Sequence, residues 1–302
     1  MNNFYLILVY LLIGILLRRI RSIPDNASLA LNSFVLYVSM PAVILQKVPS
    51  ISFSGQLLIP LLTPWILLIL VALLIITLAK LLGWSKQVTG ALLIVLPLGN
   101  TSFLGFPMVE SFYGHTAMPY IVIYDQLGTF IALATYATII ATLYGNSGNP
   151  LSWSKILLKI LSFPAFLALL IGLAFRQHEY PAFIQQLIDN LSLTLIPVVM
   201  VAVGFSLKLR LDNHHRAPFL IGLGTKLLLM PLFTFILWQG MGQDNLAATV
   251  SIFAAAMPPM ISAGAVAIIA GLVPELVSAL VGIGLLLSLI TLPVLHWLLT
   301  LA

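Results

Sequence analysis

The stretch LPLGNTSFLGFP, Leu96–Pro107, decides how this chain folds, because it interrupts an apolar segment long enough to cross a membrane. Its two prolines have no backbone N–H and clash with the preceding helical turn. Two glycines relax the backbone between them, and Asn100, Thr101 and Ser102 add polar side chains. At membrane depth, non-helical backbone is tolerated only where it is buried in protein or lines a cavity. We therefore expect a broken helix at a binding site.

The composition of the whole chain indicates that its surroundings are lipid. Of the 302 residues, 61% are hydrophobic and only 7% are charged, whereas soluble domains contain about 25% charged residues. A water-soluble fold of this length could not bury so much apolar surface, so we expect an all-α polytopic membrane protein. The absence of cysteine excludes disulfides and cysteine-ligated metals. The first helix lacks the basic start and small-residue cleavage site of a signal peptide, so we expect it to be retained.

Ten hydrophobic spans are expected, since each crossing needs about 20 apolar residues. They lie near Phe4–Leu17, Ser28–Gln46, Gln56–Ala79, Val88–Phe112, Ala117–Leu143, Ile156–Phe175, Phe183–Leu207, Pro218–Trp238, Leu246–Gly271 and Pro274–Leu301. The opening stretch falls in the fourth span.

The basic residues indicate the orientation, because cytoplasmic loops collect Lys and Arg. If the N-terminus is outside, the residues at cytoplasmic ends are Arg18, Arg19, Arg21, Lys80, Lys86, Lys155, Lys159, Lys208, Arg210 and Arg216. Only Lys47 and Arg176 then lie at outer ends. The opposite orientation would invert this asymmetry, so we expect both termini outside.

A polar, turn-rich stretch, Gly145–Ser154, divides the spans into two sets of five. We expect residues 1–144 to form the first five-helix repeat, residues 145–154 a cytoplasmic linker and residues 155–302 the second repeat. Because five is odd, the second set enters the membrane with the opposite orientation.

Proline positions support a duplication. Pro41 and Pro197 both lie within the second span of a half, and the fourth span of the second half is interrupted by AAAMPPMISAGAVA, Ala254–Ala267. Paired interruptions at corresponding places are typical of an inverted-repeat transporter and mark its binding site.

At this point the sequence resembles a known family. The motif GNTSFLGFP in the fourth span resembles the signature of the auxin efflux carrier family of bacterial and plant transporters. The stretches LYVSMPAVI, IYDQLGTF and TKLLLMP of spans two, five and eight resemble that family's pattern too. The resemblance covers essentially the whole chain, and the short linker is similar to that of compact bacterial members.

The resemblance implies a fold similar to the bile-acid and sodium/proton transporters. That fold has ten helices in two inverted five-helix repeats, with broken helices 4 and 9 crossing near the membrane centre. It also implies the bacterial inner membrane, termini in the periplasm, and organic anions such as malate, malonate or auxin as substrates. Relatives suggest a homodimer.

The two interrupted spans supply the candidate substrate-binding residues. They are Pro97, Gly99, Asn100, Thr101, Ser102 and Phe103 in the fourth span, and Pro258, Pro259 and Ser262 in the ninth. Backbone N–H groups freed at the start of a half-helix attract anions, because the helix dipole adds partial positive charge there. The alternative is a proline kink whose polar residues satisfy only one another.

Two ionisable residues lie inside spans, where charge is costly and indicates function by default. Asp125 in span five could carry a coupling proton, because burial disfavours the charged form of a carboxyl group. Lys226 in span eight could attract the substrate or pair with a carboxylate. The alternative for both is a structural role.

The motifs exclude several function classes. There is no H-E-x-x-H, no G-x-S-x-G and no Walker-type loop, so we expect neither an enzyme nor an ATP-driven pump. We expect a secondary transporter of small organic anions that works by alternating access. Its partners would be the anion and the lipid bilayer, with H+ as candidate coupling ion and no cofactor, metal or nucleic acid.

Two other hypotheses stay open. A non-transporting sensor or receptor on the same scaffold would need a signalling partner, although the loops are short. A sodium/proton exchanger normally needs adjacent buried carboxylates, and only Asp125 is convincingly inside a span.

Overall fold

A computed structural model describes residues 2–20, 22–24, 26–50, 55–145, 153–175, 180–206 and 215–301. Helices lie at each of the ten expected positions. They are α1 Asn2–Leu17, α2 Ala27–Lys47, α3 Gly55–Leu82, α4 Lys86–Val95, α5 Phe106–Tyr113, α6 His115–Tyr144, α7 Trp153–Leu161, α8 Pro164–Ala174, α9 Ala182–Ser206, α10 Arg216–Gly240, α11 Leu246–Ala255, α12 Ile261–Ile269 and α13 Pro274–Leu301.

Within this part of the chain, six helices are long and apolar enough to cross a membrane, namely α2, α3, α6, α9, α10 and α13. The all-helical membrane class is therefore confirmed. Linker residues 146–152 and the basic residues Arg21, Arg176, Lys208 and Arg210 lie outside the described residues.

The fourth and ninth expected spans are each split into two helices, as is the sixth, where α8 begins at Pro164. Helices α4 and α11 have ten residues each, and each begins at a polar N-cap. The Ser85 side chain accepts a hydrogen bond from the Val88 N–H, and the Asn245 side chain accepts one from the Ala248 N–H. Both helices end before a proline, and α5 and α12 resume the two spans after an extended segment.

The two extended segments pair with each other in antiparallel fashion, Gly99 opposite Pro259. The Asn100 N–H donates to the Pro258 carbonyl over 2.8 Å, and the Met260 N–H donates to the Leu98 carbonyl over 2.9 Å. Each broken span thus provides hydrogen-bond partners for backbone groups of the other span that have no partner within their own helix. This exchange makes non-helical backbone tolerable at membrane depth.

Wide π-helical turns precede several of the prolines. Val35–Ser39, Thr101–Gly105 and Thr225–Leu229 each end two residues before a proline, namely Pro41, Pro107 and Pro231. Because proline offers no N–H to the carbonyl four residues earlier, the backbone widens to bond at longer spacing. Tyr124–Thr129 in α6 is a further π-helical turn.

The chain divides into two compact units. The first unit comprises Met1–Ser54, Ser102–Val122 and Leu158–Leu207. In it α1 packs along α9, and α2 packs on α8 and α9. Glycines bring the backbones of α1 and α9 together: a Cβ atom at Gly14 would lie 2.1 Å from the Val201 carbonyl oxygen. A Cβ atom at Gly204 would lie 2.1 Å from the Leu11 carbonyl oxygen.

The second unit comprises Gly55–Thr101, Ile123–Leu157 and Lys208–Ala302, and it contains the paired extended segments. Its buried hydrophobic core is built from α3, α4, α10, α12 and α13. Both units draw on both halves of the sequence, so the division at residues 145–154 into two repeats stays a prediction.

Candidate functional site

The candidate site lies in the second unit, around the paired segments, which we call the crossing: residues 97–101 and 257–260. The crossing contains Pro97, Gly99, Asn100, Thr101, Pro258 and Pro259 of the predicted residues. Asn100 and Thr101 are 1% and 0% exposed. Polar side chains buried so completely in a membrane segment require partners within the protein.

The backbone N–H groups at the crossing fall into two classes. The N–H groups of Asn100 and Thr101 already form hydrogen bonds, to the Pro258 and Gly99 carbonyls respectively. A ligand could reach these two only by breaking the crossing. The N–H groups of Leu98 and Gly99, in contrast, donate to no carbonyl among the described residues.

Helix α12 begins directly after the crossing and has no side-chain cap at Met260. Its first intrahelical bond runs from the Gly264 N–H to the Met260 carbonyl. The preceding N–H groups of Ile261, Ser262 and Ala263 therefore have no helical partner. The predicted residue Ser262 lies in this first turn and is half-buried. Within the part of the chain that the structure describes, the start of α12 thus presents N–H groups without a backbone partner, together with the positive end of a helix dipole.

Lys226 brings a basic side chain to the crossing. Its side chain is 1% exposed, and a Cβ atom at Gly99 would lie only 3.3 Å from its Nζ atom. The Nζ atom donates a hydrogen bond to the Met230 sulfur at 3.6 Å, which is a weak acceptor. Among the described residues, no carboxylate forms an ion pair with Lys226. A buried ammonium without a carboxylate partner is costly and favours an anion nearby.

Asp125 is fully buried and anchors the end of the crossing. Its Oδ1 accepts a hydrogen bond from the Thr101 hydroxyl at 2.5 Å and one from the Thr129 hydroxyl at 3.2 Å. Its Oδ2 accepts one from Gln126 Nε2 at 2.7 Å. The two threonine hydroxyls also lie 2.8 Å apart. These bonds tie the fourth span to α6.

Wide turns carry the polar residues of this site. Thr101 begins the turn Thr101–Gly105, Asp125 lies in Tyr124–Thr129, and Lys226 lies in Thr225–Leu229. Such turns shift the register of the following side chains and often occur at functional sites. Three polar residues of the candidate site thus lie in wide turns instead of regular α-helix.

Ser102 and Phe103 follow Thr101 in its wide turn and are buried, 8% and 5% exposed. Both are grouped with the first unit. Their predicted contact with substrate stays a prediction.

Sequence reasoning singles out Asp125 in IYDQLGTF but misses Gln126 and Thr129. Thr129 lies four residues after Asp125, and this helical spacing could have indicated it. Gln126 is adjacent to Asp125, and no spacing rule indicates that their side chains would bond. The same four-residue spacing joins Lys226 to Met230.

Comparisons with known proteins indicate the class of protein to which this chain belongs. A family model described as membrane transport protein matches residues 2–148 and 149–296. An uncharacterized transporter of Methanothermobacter thermautotrophicus is 26% identical over 296 residues, covering 95% of this chain and 94% of that protein. An uncharacterized transporter of Methanocaldococcus jannaschii is 26% identical over 217 residues, covering 68% of each. These matches indicate a multi-pass membrane transporter and not an enzyme.

Proposed function

We propose that this chain, which belongs to the auxin efflux carrier family of membrane transport proteins, is a secondary transporter that moves small organic anions by alternating access. The observation that carries the proposal is the buried Lys226 ammonium beside Gly99 at the crossing. An organic anion would provide the counter-charge that this cation lacks among the described residues.

The crossing also offers neutral donors for a carboxylate. The N–H groups of Leu98 and Gly99, together with the first turn of α12, are available without breaking any hydrogen bond of the crossing. The Asn100 N–H is committed to Pro258, so the contribution of Asn100 to binding would come from its side chain. Thr101 would act indirectly, because its hydroxyl is held by Asp125.

Ten spans in two inverted repeats remain our proposal for the fold. The N-cap and crossing residues support it, because Gly99 follows Ser85, and Pro259 follows Asn245, at the same spacing of 14 residues. The first unit supports it as well. In two repeats of five spans, the first span corresponds to the sixth and the second span to the seventh. The contact of the first span with the seventh, α1 with α9, therefore corresponds to the contact of the second span with the sixth, α2 with α8. The first unit contains both contacts.

A flux experiment tests the function. Proteoliposomes containing the full chain would be assayed for uptake of labelled malate, malonate and indole acetate, with and without a pH gradient. We expect saturable uptake of at least one of these anions. Binding without flux would favour the sensor hypothesis, and cation exchange without anion flux would favour the sodium/proton exchanger.

Lys226→Met tests the site itself. We expect anion affinity to fall at least tenfold, because the variant removes the cation but keeps most of the side-chain volume. Thermal stability in detergent should not fall, since a buried ammonium costs free energy. The matched control is Lys80→Met, which removes an exposed lysine from the end of α3. Equal anion affinities in the two variants would refute the site.

We also propose a coupling ion, a membrane and an assembly. H+ is the candidate coupling ion and Asp125 its carrier. The bacterial inner membrane, with both termini in the periplasm, is the proposed location, and a homodimer is the proposed assembly.

A further inference from the structure

The amide of Gln126 has an orientation that its neighbour dictates. Asp125 Oδ2 lies 2.7 Å from Gln126 Nε2. In the ionised form of Asp125 the carboxylate only accepts hydrogen bonds, so the amide presents its NH2 group to Asp125 and turns its oxygen away while the proton is absent. The other carboxylate oxygen, Oδ1, already accepts from Thr101 and Thr129. Gln126 therefore cannot satisfy its oxygen at Asp125.

The oxygen that is turned away is buried and lacks a donor. Gln126 is 1% exposed, and its Oε1 accepts no hydrogen bond from any described residue. Leaving a buried amide oxygen without a donor is costly, and native proteins rarely do so away from functional sites. The Gln126 side chain is linked to Thr101 of the crossing through Asp125, because Gln126 Nε2 donates to Asp125 Oδ2 and the Thr101 hydroxyl donates to Asp125 Oδ1.

The missing donor defines the chemistry of the ligand. A carboxylate has acceptors only, so it cannot satisfy Gln126 Oε1. We propose that Gln126 is a specificity-determining residue whose Oε1 accepts a hydrogen bond from a hydroxyl or N–H group of the transported anion. The site then selects carboxylates that carry such a donor over carboxylates of similar size that lack one. This inference rests on the proposed anion transport and narrows its substrate class.

Ligand pairs test the inference on the unmodified chain. The pairs are malate and succinate, lactate and propionate, and indole acetate and benzofuran-3-acetate; within each pair only the first member carries the donor. Dissociation constants would be measured with the purified full chain in detergent. We expect at least tenfold tighter binding of the donor-carrying member in the pair that fits the site, because a site built for a donor strongly rejects the analogue without it.

A variant separates specificity from stability. Gln126→Met should bring the affinity ratio within that pair close to one, while the affinity for the donor-free member stays within about threefold. The control is Gln46→Met, which removes a bond of the same kind, from Gln46 Nε2 to Asp189 Oδ1 at 2.6 Å in the first unit. This control should keep the ratio of the unmodified chain.

The outcomes distinguish the two proposals. If carboxylates bind but the ratio on the unmodified chain is close to one, the role of Gln126 is refuted and anion transport stands. The same holds if the ratio survives Gln126→Met. If no member of any pair binds or is transported, both proposals fail together.

Discussion

At the scale of single residues, the candidate site buries ionisable and hydrogen-bonding side chains in and around the crossing. Thr101, Asp125 and Lys226 are each at most 1% exposed. The Asp125 carboxyl group accepts hydrogen bonds from two hydroxyls and an amide, whereas the Lys226 Nζ atom donates to the sulfur of Met230. Asp125 therefore has strong partners within the protein, and under the proposed function an anion would supply a strong partner for Lys226.

Asp125→Asn tests proton coupling at the residue scale. An amide keeps the acceptor for Thr101 but cannot take up a proton in the relevant pH range. We expect flux driven by a pH gradient to lose that dependence, whereas exchange of labelled for unlabelled anion at equal pH continues. Flux would be measured in proteoliposomes with and without the gradient. A variant that still responds fully to the gradient would exclude Asp125 as the proton carrier.

At the scale of elements, helices α1 and α9 approach so closely that only glycine fits. A Cβ atom at Gly14 or Gly204 would lie 2.1 Å from a backbone oxygen of the facing helix. Backbone cannot give way as a flexible side chain can, so the helices would have to separate.

Gly14→Ala and Gly204→Ala should therefore each lower the stability of the protein by about 1–3 kcal/mol. The same substitution at Gly224 or Gly240 should raise it by about 0.5–1 kcal/mol, because nothing lies within 4 Å and alanine favours the helix. Thermal melting in detergent measures both. Equal shifts at all four glycines would contradict the close approach.

Gly128 packs the wide turn of Asp125 against Pro64 of helix α3. A Cβ atom at Gly128 would lie 2.2 Å from Pro64 Cγ, and Gly128 is in the same wide turn as Asp125. We expect Gly128→Ala to push this turn away from α3 and to reduce anion flux. Where Gly128→Ala and Gly14→Ala lower the melting temperature equally, Gly128→Ala should lose more anion flux than Gly14→Ala. Flux that merely follows stability in both variants would show that this contact does not position the site.

At the scale of the whole molecule, the distribution of basic residues predicts which loops face the cytoplasm. The chain has no cysteine, so each introduced cysteine is a unique label. Gln87 and Ala182 are both exposed and lie at ends of spans expected on opposite sides. We expect a membrane-impermeant maleimide to label Ala182→Cys in intact cells and Gln87→Cys only after lysis. The reverse pattern would invert the topology.

Much of the helical layout could be predicted because its causes are local. Hydropathy places helices near all ten expected positions, and the breaks occur at Pro97 and Pro258 because proline removes a backbone donor wherever it stands. The crossing residues can be predicted for the same reason. Sequence patterns do not indicate Gln126, because the role proposed for it depends on which of its atoms faces Asp125, and no local pattern encodes that.

The sequence by itself determines that this protein is a helical membrane protein with two interrupted spans, because apolar composition and proline chemistry act on the chain segment that contains them. Only the tertiary structure decides how the interruptions are resolved. It pairs Gly99 with Pro259, commits the Asn100 N–H group to the Pro258 carbonyl, and sets Lys226 beside Gly99. These contacts join residues more than 100 positions apart, and they follow from how helices pack, which no local preference specifies.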